Sequence, residues 1–391
     1  MMNLSLHLKK ILVTIVLSLN LFGYAATPNN SFAVSVYSEL SQPEQNLVFS
    51  PYSLHTNLSL LWCGAKGKTK KELIQALFLP RRNTEIFELF NRPVRLVTAT
   101  ALFTHNEIEL LSSFESKASK HFGASLLPID FHNSAAAAAE MNGWIQEKTQ
   151  GKIPSLITED DLNEQTKLVI ANAVYFEKKW AHPFLASNTK TASFYPQDLP
   201  EIDVEMVRQT HSFPYFETEN AQIVSLPFAK EKSANAECLL ILPSEDSSLA
   251  ELEEHLDAET LSTWMKNLKK TSVAVQLPKF SLSNRLSMDE ALQSLGIETA
   301  YTEAAHFGGI DGTRELFLQT CLHEAFFSLD EKGVTAAAAT TSHMGMTCMP
   351  PEKEPEASFI AERPFLFMIV SKETNDILFM GRYTNPSVNE N

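Results

Sequence analysis

Three places in the chain carry side chains that could do chemistry. His323-Glu324 offers a base beside an acid, Gly67-Lys68-Thr69 ends like a phosphate-binding loop, and Glu159-Asp160-Asp161 could gather a cation. Each fails on inspection. The phosphate loop needs a glycine where Trp62 stands, His323 lies in a strand-like run where a lone histidine serves as a hydrogen-bonding group, and the acidic triplet reads as a solvated loop. The chain also lacks a G-x-S-x-G elbow, an H-E-x-x-H pair and a dinucleotide fingerprint. No enzyme is expected, and no metal or cofactor.

The unusual stretch covers residues 334–349. It runs Val-Thr-Ala-Ala-Ala-Ala-Thr-Thr-Ser-His-Met-Gly-Met-Thr-Cys-Met, sixteen residues without a formal charge. Charged residues precede it, and Pro350-Pro351 with an acidic run follow, as in a solvated loop. As a strand, its two faces are both uncharged and mostly small, so it could join a sheet without burying a charge. Proline would end that strand at 350. An alanine helix is the rival, since alanine is the best helix former. Composition alone leaves the two level.

What must position such a stretch is a chain of 391 residues, 44% hydrophobic and 20% charged, with 25 phenylalanines and only 13 glycines. That is a globular composition with a large core. A net charge of −15 argues against a nucleic-acid partner. Lys9 and Lys10 precede an apolar run over 11–22, then Gly23, Ala25 and Ala26. This pattern predicts a signal peptide over 1–26 and a single domain over 27–391, secreted and without a membrane span. Secretion means the extracellular space, or the periplasm if the source is bacterial. Cys63, Cys238, Cys321 and Cys348 are widely spaced, the first two in apolar runs, and are expected to be reduced.

Helices are predicted over 31–40, 53–65, 69–78 (capped by Thr69), 135–149, 249–268 and 288–295. Strands are predicted over 97–103, 167–176, 222–226, 237–242, 272–277 and 317–329, with a closing hairpin over 364–370 and 377–382. The 167–176 run is continuously apolar, as in a strand buried on both faces. An α+β domain follows, with its helices mostly in the first half.

The chain resembles the serpin family over nearly its whole mature length. The hinge Glu331-Lys332-Gly333-Val334-Thr335-Ala336-Ala337-Ala338-Ala339-Thr340 looks like that of inhibitory members. The ending Arg363-Pro364-Phe365-Leu366-Phe367, Phe379-Met380-Gly381-Arg382 and Asn385-Pro386 matches as well. So do Phe49-Ser50-Pro51-Tyr52-Ser53, Gly64-Ala65-Lys66-Gly67, Asn142-Gly143-Trp144 and Asn172-Ala173-Val174-Tyr175-Phe176 with Lys179-Trp180. The resemblance implies three β-sheets, eight or nine helices and an exposed reactive-centre loop. It implies a suicide-type inhibitor of serine proteases, in which the cleaved loop inserts into the central sheet and traps the acyl-enzyme. Counting from the hinge glutamate puts the reactive bond at Thr347-Cys348, with Met346 the alternative residue before the cut. Threonine suits an elastase-like protease as partner. Ser53, Asn172 and His323 correspond to the family's shutter, and Glu331, Lys279 and Trp180 to a cluster at the top of the central sheet. A monomer is expected.

Two departures stand out. Val334 replaces the usual threonine or serine at the first inserting position, and the segment over 81–97 is short and carries few basic residues, against heparin-type activation. The competing function is a non-inhibitory serpin that carries or stores a ligand. Bulky or charged hinge residues would favour it; four alanines favour inhibition.

Overall fold

The computed structural model describes residues 26–90, 97–230, 235–334 and 354–387. Along the chain come α1 (Pro28–Leu40), β1 (Leu47–Phe49), α2 (Pro51–Gly64), α3 (Gly67–Ala76), α4 (Asn83–Phe90), β2 (Val97–His105), α5 (Ser112–Lys117), β3 (Ser125–Ile129) and α6 (Ser134–Lys148). Next are β4 (Leu168–Tyr175), β5 (Lys178–Lys179), β6 (Lys190–Phe194), β7 (Ile202–Glu217), β8 (Ala221–Pro227) and β9 (Ala236–Pro243). Then follow α7 (Leu249–Glu254), α8 (Ala258–Asn267), β10 (Lys269–Pro278), β11 (Phe280–Ser287), α9 (Asp289–Ser294) and β12 (Thr320–Leu329). The chain closes with β13 (Gly333–Val334), β14 (Ala357–Ile360), β15 (Phe365–Ser371) and β16 (Ile377–Tyr383).

The strands form two hydrogen-bonded networks among the described residues, where three sheets were expected. One has seven strands and contains β3-β2-β4-β12 with β11 on the far side of β12. The other has nine strands. Its continuity comes from β7: residues 206–215 pair with β10, while Tyr215–Glu217 continue into a ladder with β8. A strand of 16 residues is long enough to belong to two sheets.

Three clusters of buried side chains hold the layers together. β4 shows why its sequence is apolar without alternation: Val169, Ala171 and Ala173 pack under α6 with Met141 and Ile145, while Leu168 and Ile170 face the cluster beneath α2. All eight β4 residues are buried. A third cluster, rich in Phe327, Phe365, Phe367 and Phe379, fills the space between the two networks.

Two local expectations fail. The helix predicted over 249–268 is two helices, because the Asp257 side chain accepts a bond from Thr260 N at 2.6 Å and starts α8 afresh. Thr69 caps nothing. Helix α3 begins two residues earlier at Gly67, whose φ of +59° suits glycine, and the Thr69 hydroxyl instead accepts from His306 N at 3.0 Å. Cys63, Cys238 and Cys321 form no disulfide; Cys348 lies outside the described residues.

Candidate functional site

The central feature is a seam. β4 and β12 lie side by side and parallel, from Thr320 opposite Val169 to Phe326 opposite Tyr175. Halfway along, one row of polar side chains crosses the sheet, for the register sets His323 against Asn172 and Asn172 against Thr100 of β2. Ser50 and Ser53, at the start of α2, reach the same row from below.

The hydrogen bonds fix their own direction. Ser50 N–H donates to His323 Nε2 at 2.9 Å, so that nitrogen must accept and the ring proton sits on Nδ1. His323 Nδ1 then donates to Asn172 Oδ1 at 2.8 Å, and Asn172 Nδ2 donates to Ser53 Oγ at 2.6 Å and Thr100 Oγ1 at 3.3 Å. Burial holds the imidazole neutral, pushing its pKa from 6.5 down to about 3. The row thus ties β2, β4, β12 and α2 through mutually satisfied bonds, short and buried except for the longer one to Thr100. Glu324 takes no part. Strand alternation turns it to the opposite face, where Ser283 donates to it at 2.9 Å.

At the top of the seam the strands part and something else lies between them. After β12 the chain turns over 330–332, and Gly333–Val334 runs back antiparallel to both β12 and β5. Asp330 Oδ1 accepts from Lys332 N at 2.7 Å and Gly333 N at 3.0 Å, closing the turn. Trp180 braces it twice, donating from its backbone to Lys332 O at 2.8 Å and from Nε1 to Asp330 O at 2.9 Å. Its ring is held by stacking on Phe228 at 4.8 Å. A Cβ on Gly333 would lie 2.1 Å from Lys178 O, so only glycine passes there. Val334 is fully buried in the aromatic-rich cluster between the networks, which accounts for an apolar residue at a place where Thr or Ser was expected.

Glu331 and Lys279 do meet, at 3.3 Å, with Glu205 2.9 Å from the same ammonium and the Thr189 hydroxyl donating to Glu331 at 2.8 Å. Burial acts to raise the Glu331 pKa, but its own backbone N–H, Thr189 and Lys279 outweigh that and lower it. Lys279 is raised: desolvation opposes its charge, and the two carboxylates more than restore it.

The structure therefore brings the sequence-predicted residues together as two groups. One is Ser53, Asn172 and His323 at mid-seam; the other is Trp180, Lys279 and Glu331, with Lys332, Gly333 and Val334, at its top. Ser50, Thr100, Glu205 and Thr189 were missed. Thr100 had a weak signal, since Thr98 and Thr100 repeat with strand period in an apolar run. Thr335, Ala336, Ala337, Ala338 and Ala339 of the hinge, and Met346, Thr347 and Cys348 at the expected reactive bond, lie outside the described residues.

Residues 27–386 match the family Serpin (serine protease inhibitor), and the chain belongs to that family. Human alpha-1-antichymotrypsin is 33% identical over 92% of this chain and 88% of its own length. The leukocyte elastase inhibitor of Sus scrofa is 30% identical over 92% of this chain and 98% of its own. Among solved structures, human thyroxine-binding globulin in complex with thyroxine superposes with a TM-score of 0.81 at 28% identity, covering 92% of this chain and 97% of that one. The fold is thus shared with a protein named as an elastase inhibitor and with one named for binding thyroxine.

Proposed function

We propose that this serpin is a secreted suicide inhibitor of elastase-like serine proteases, acting as a monomer. One observation carries the reading. Gly333–Val334 is seated as a strand between β5 and β12, directly above the stretch where β4 and β12 pair with each other. A strand that continued downwards would be antiparallel to both neighbours, and the uncharged run 334–349 is the chain that would continue it. At roughly 3.3 Å per residue, sixteen residues reach about 50 Å, enough to cross the sheet.

The chemistry belongs to the protease. Its serine oxygen attacks the Thr347 carbonyl carbon, the Cys348 nitrogen leaves with a proton as a new amine, and Thr347 stays esterified to the enzyme. Insertion of 335–347 would then pull the ester away from the groups that hydrolyse it. The mid-seam hydrogen bonds are what insertion must separate, and the Glu331–Lys279 cluster anchors the end that stays put. Secretion is supported by the pattern over 1–26, with a family match that starts at residue 27. A carrier role is the second reading, favoured by the likeness to thyroxine-binding globulin. Incubation with a panel of serine proteases separates the two: an SDS-stable complex is expected with elastase-like enzymes, and cleavage without any complex would favour the carrier.

A further inference from the structure

We propose that His105, Asp130 and His132 form a surface site for a single zinc-class divalent metal ion. It lies far along the chain from the hinge, and nothing in the inhibitor reading requires it. The three residues each place one ligand atom within 4.8 Å of the others. The set contains two imidazoles and a carboxylate, donors that suit Zn2+, with the fourth position left to solvent.

The fold gathers them for reasons unrelated to one another. His105 ends β2, and its partner in the parallel ladder is Ile129, the last residue of β3. Asn106 N–H donates to Ile129 O at 2.9 Å, so the two strand ends stay together as the chain leaves the sheet. Asp130 follows at once, and its carboxylate accepts from His132 N at 3.0 Å, curling the loop so that His132 faces the same way. The loop cannot drift, because Phe131 is fully buried and Asn133 caps α6, accepting from Ala136 N at 3.0 Å. His105 is buried behind, its ring edge-on to that of His132 at 5.1 Å, while Asp130 and His132 are 61% and 65% exposed. One buried ligand thus sits at the back and two exposed ones at the front, which gives an ion access from solvent.

Without metal, Asp130 Oδ1 and His132 Nδ1 lie 2.7 Å apart and satisfy each other. His105 Nδ1 accepts a long 3.3 Å bond from Glu107 N–H. Ligand atoms around tetrahedral zinc stand about 3.4 Å apart, so binding asks the Asp130–His132 pair to open slightly while the three ligand atoms, now within 4.8 Å of one another, draw together. Glu107 and Glu164 act electrostatically on His132 and add to the negative field that a cation would meet. Another histidine pair, His182 and His211 with ring centroids 3.8 Å apart, brings no such third ligand among the described residues and serves as the control.

The test is calorimetric titration of Zn2+ alone into the intact chain, expressed without a histidine tag, and into three variants. One equivalent should bind to the parent protein and to His211→Ala. His132→Ala and Asp130→Asn, both at exposed positions that should leave folding intact, should each weaken binding by about tenfold or more. X-ray absorption of the bound metal should give a nitrogen and oxygen shell near 2.0–2.1 Å without sulfur. No binding to the parent, equal binding to His132→Ala, loss in His211→Ala, or a sulfur ligand would each overturn the assignment.

Discussion

His323 and Asn172 face each other across the seam, Nδ1 to Oδ1 at 2.8 Å, although 151 positions separate them in the chain. Because Ser50 N–H occupies the other ring nitrogen, a protonated His323 would lose one acceptor and gain a buried charge. Its folded pKa of about 3 lies below the unfolded value near 6.5, and burial sets His55 similarly low, at about 4. As pH falls below about 6.5 the unfolded chain therefore takes up protons that the folded chain refuses. Stability should fall from there until pH reaches the folded values, by up to roughly 1.4 kcal/mol per pH unit for each histidine. Urea denaturation at pH 7 and pH 5 measures the slope, and His323→Asn should make it shallower.

Asn172→Ala should cost about 1–3 kcal/mol, the penalty for leaving buried partners unsatisfied. It strands the His323 proton and the hydroxyls of Ser53 and Thr100 together, so the loss should exceed that of Thr100→Ala, which removes one weaker 3.3 Å bond. Equal unfolding midpoints for the two variants would mean that the row contributes no more than its outermost bond.

Ala338→Arg should separate recognition from trapping. A guanidinium on the inserting strand would have to be desolvated between β4 and β12. Protease should still cleave the loop, at a comparable rate, and be released. A full yield of SDS-stable complex from this variant would sink the insertion reading.

Cutting the loop without trapping a protease should stabilise the protein. An inserted strand replaces one direct β4–β12 ladder with two, and the rise in melting temperature should exceed the few degrees of an ordinary single substitution. Superimposable melting curves before and after cleavage would favour the carrier.

Thr347→Arg should redirect inhibition from elastase-like to trypsin-like proteases, since the primary pocket reads that one side chain. Mass spectrometry of the released C-terminal peptide fixes the register. A first residue of Cys348 agrees with Thr347, Thr347 itself moves the cut to Met346, and any residue beyond Pro351 refutes the placement.

Strands such as β4 could be read from the sequence because burial on both faces leaves an unbroken apolar run. β7 could not. Asp203 and Glu205 are exposed on one face, Arg208 is half-buried on the other and Pro214 interrupts the run, so local composition resembles a loop while pairing with β6, β8 and β10 makes it a strand. α7 and α8 merged because apolar spacing continues through Leu256, whereas the break depends on one carboxylate, Asp257, folding back on a backbone amide. At mid-seam, Asn172 and His323 were recognisable only through likeness to a family; nothing local marks a residue whose partner lies on another strand. Ser50 took part through its backbone N–H, which no side-chain pattern can announce.

The narrow passage at Gly333 also bears on timing. A carbonyl stands 2.1 Å from where a side chain would begin and Val334 is already seated, so an inserting strand would lengthen from this end, residue after residue. On the proposed mechanism two clocks then start together when Thr347 is acylated, one for zippering down the seam and one for water reaching the ester. The ratio of their rates, more than the affinity of the first encounter, would decide how many inhibitor molecules are spent for each protease captured.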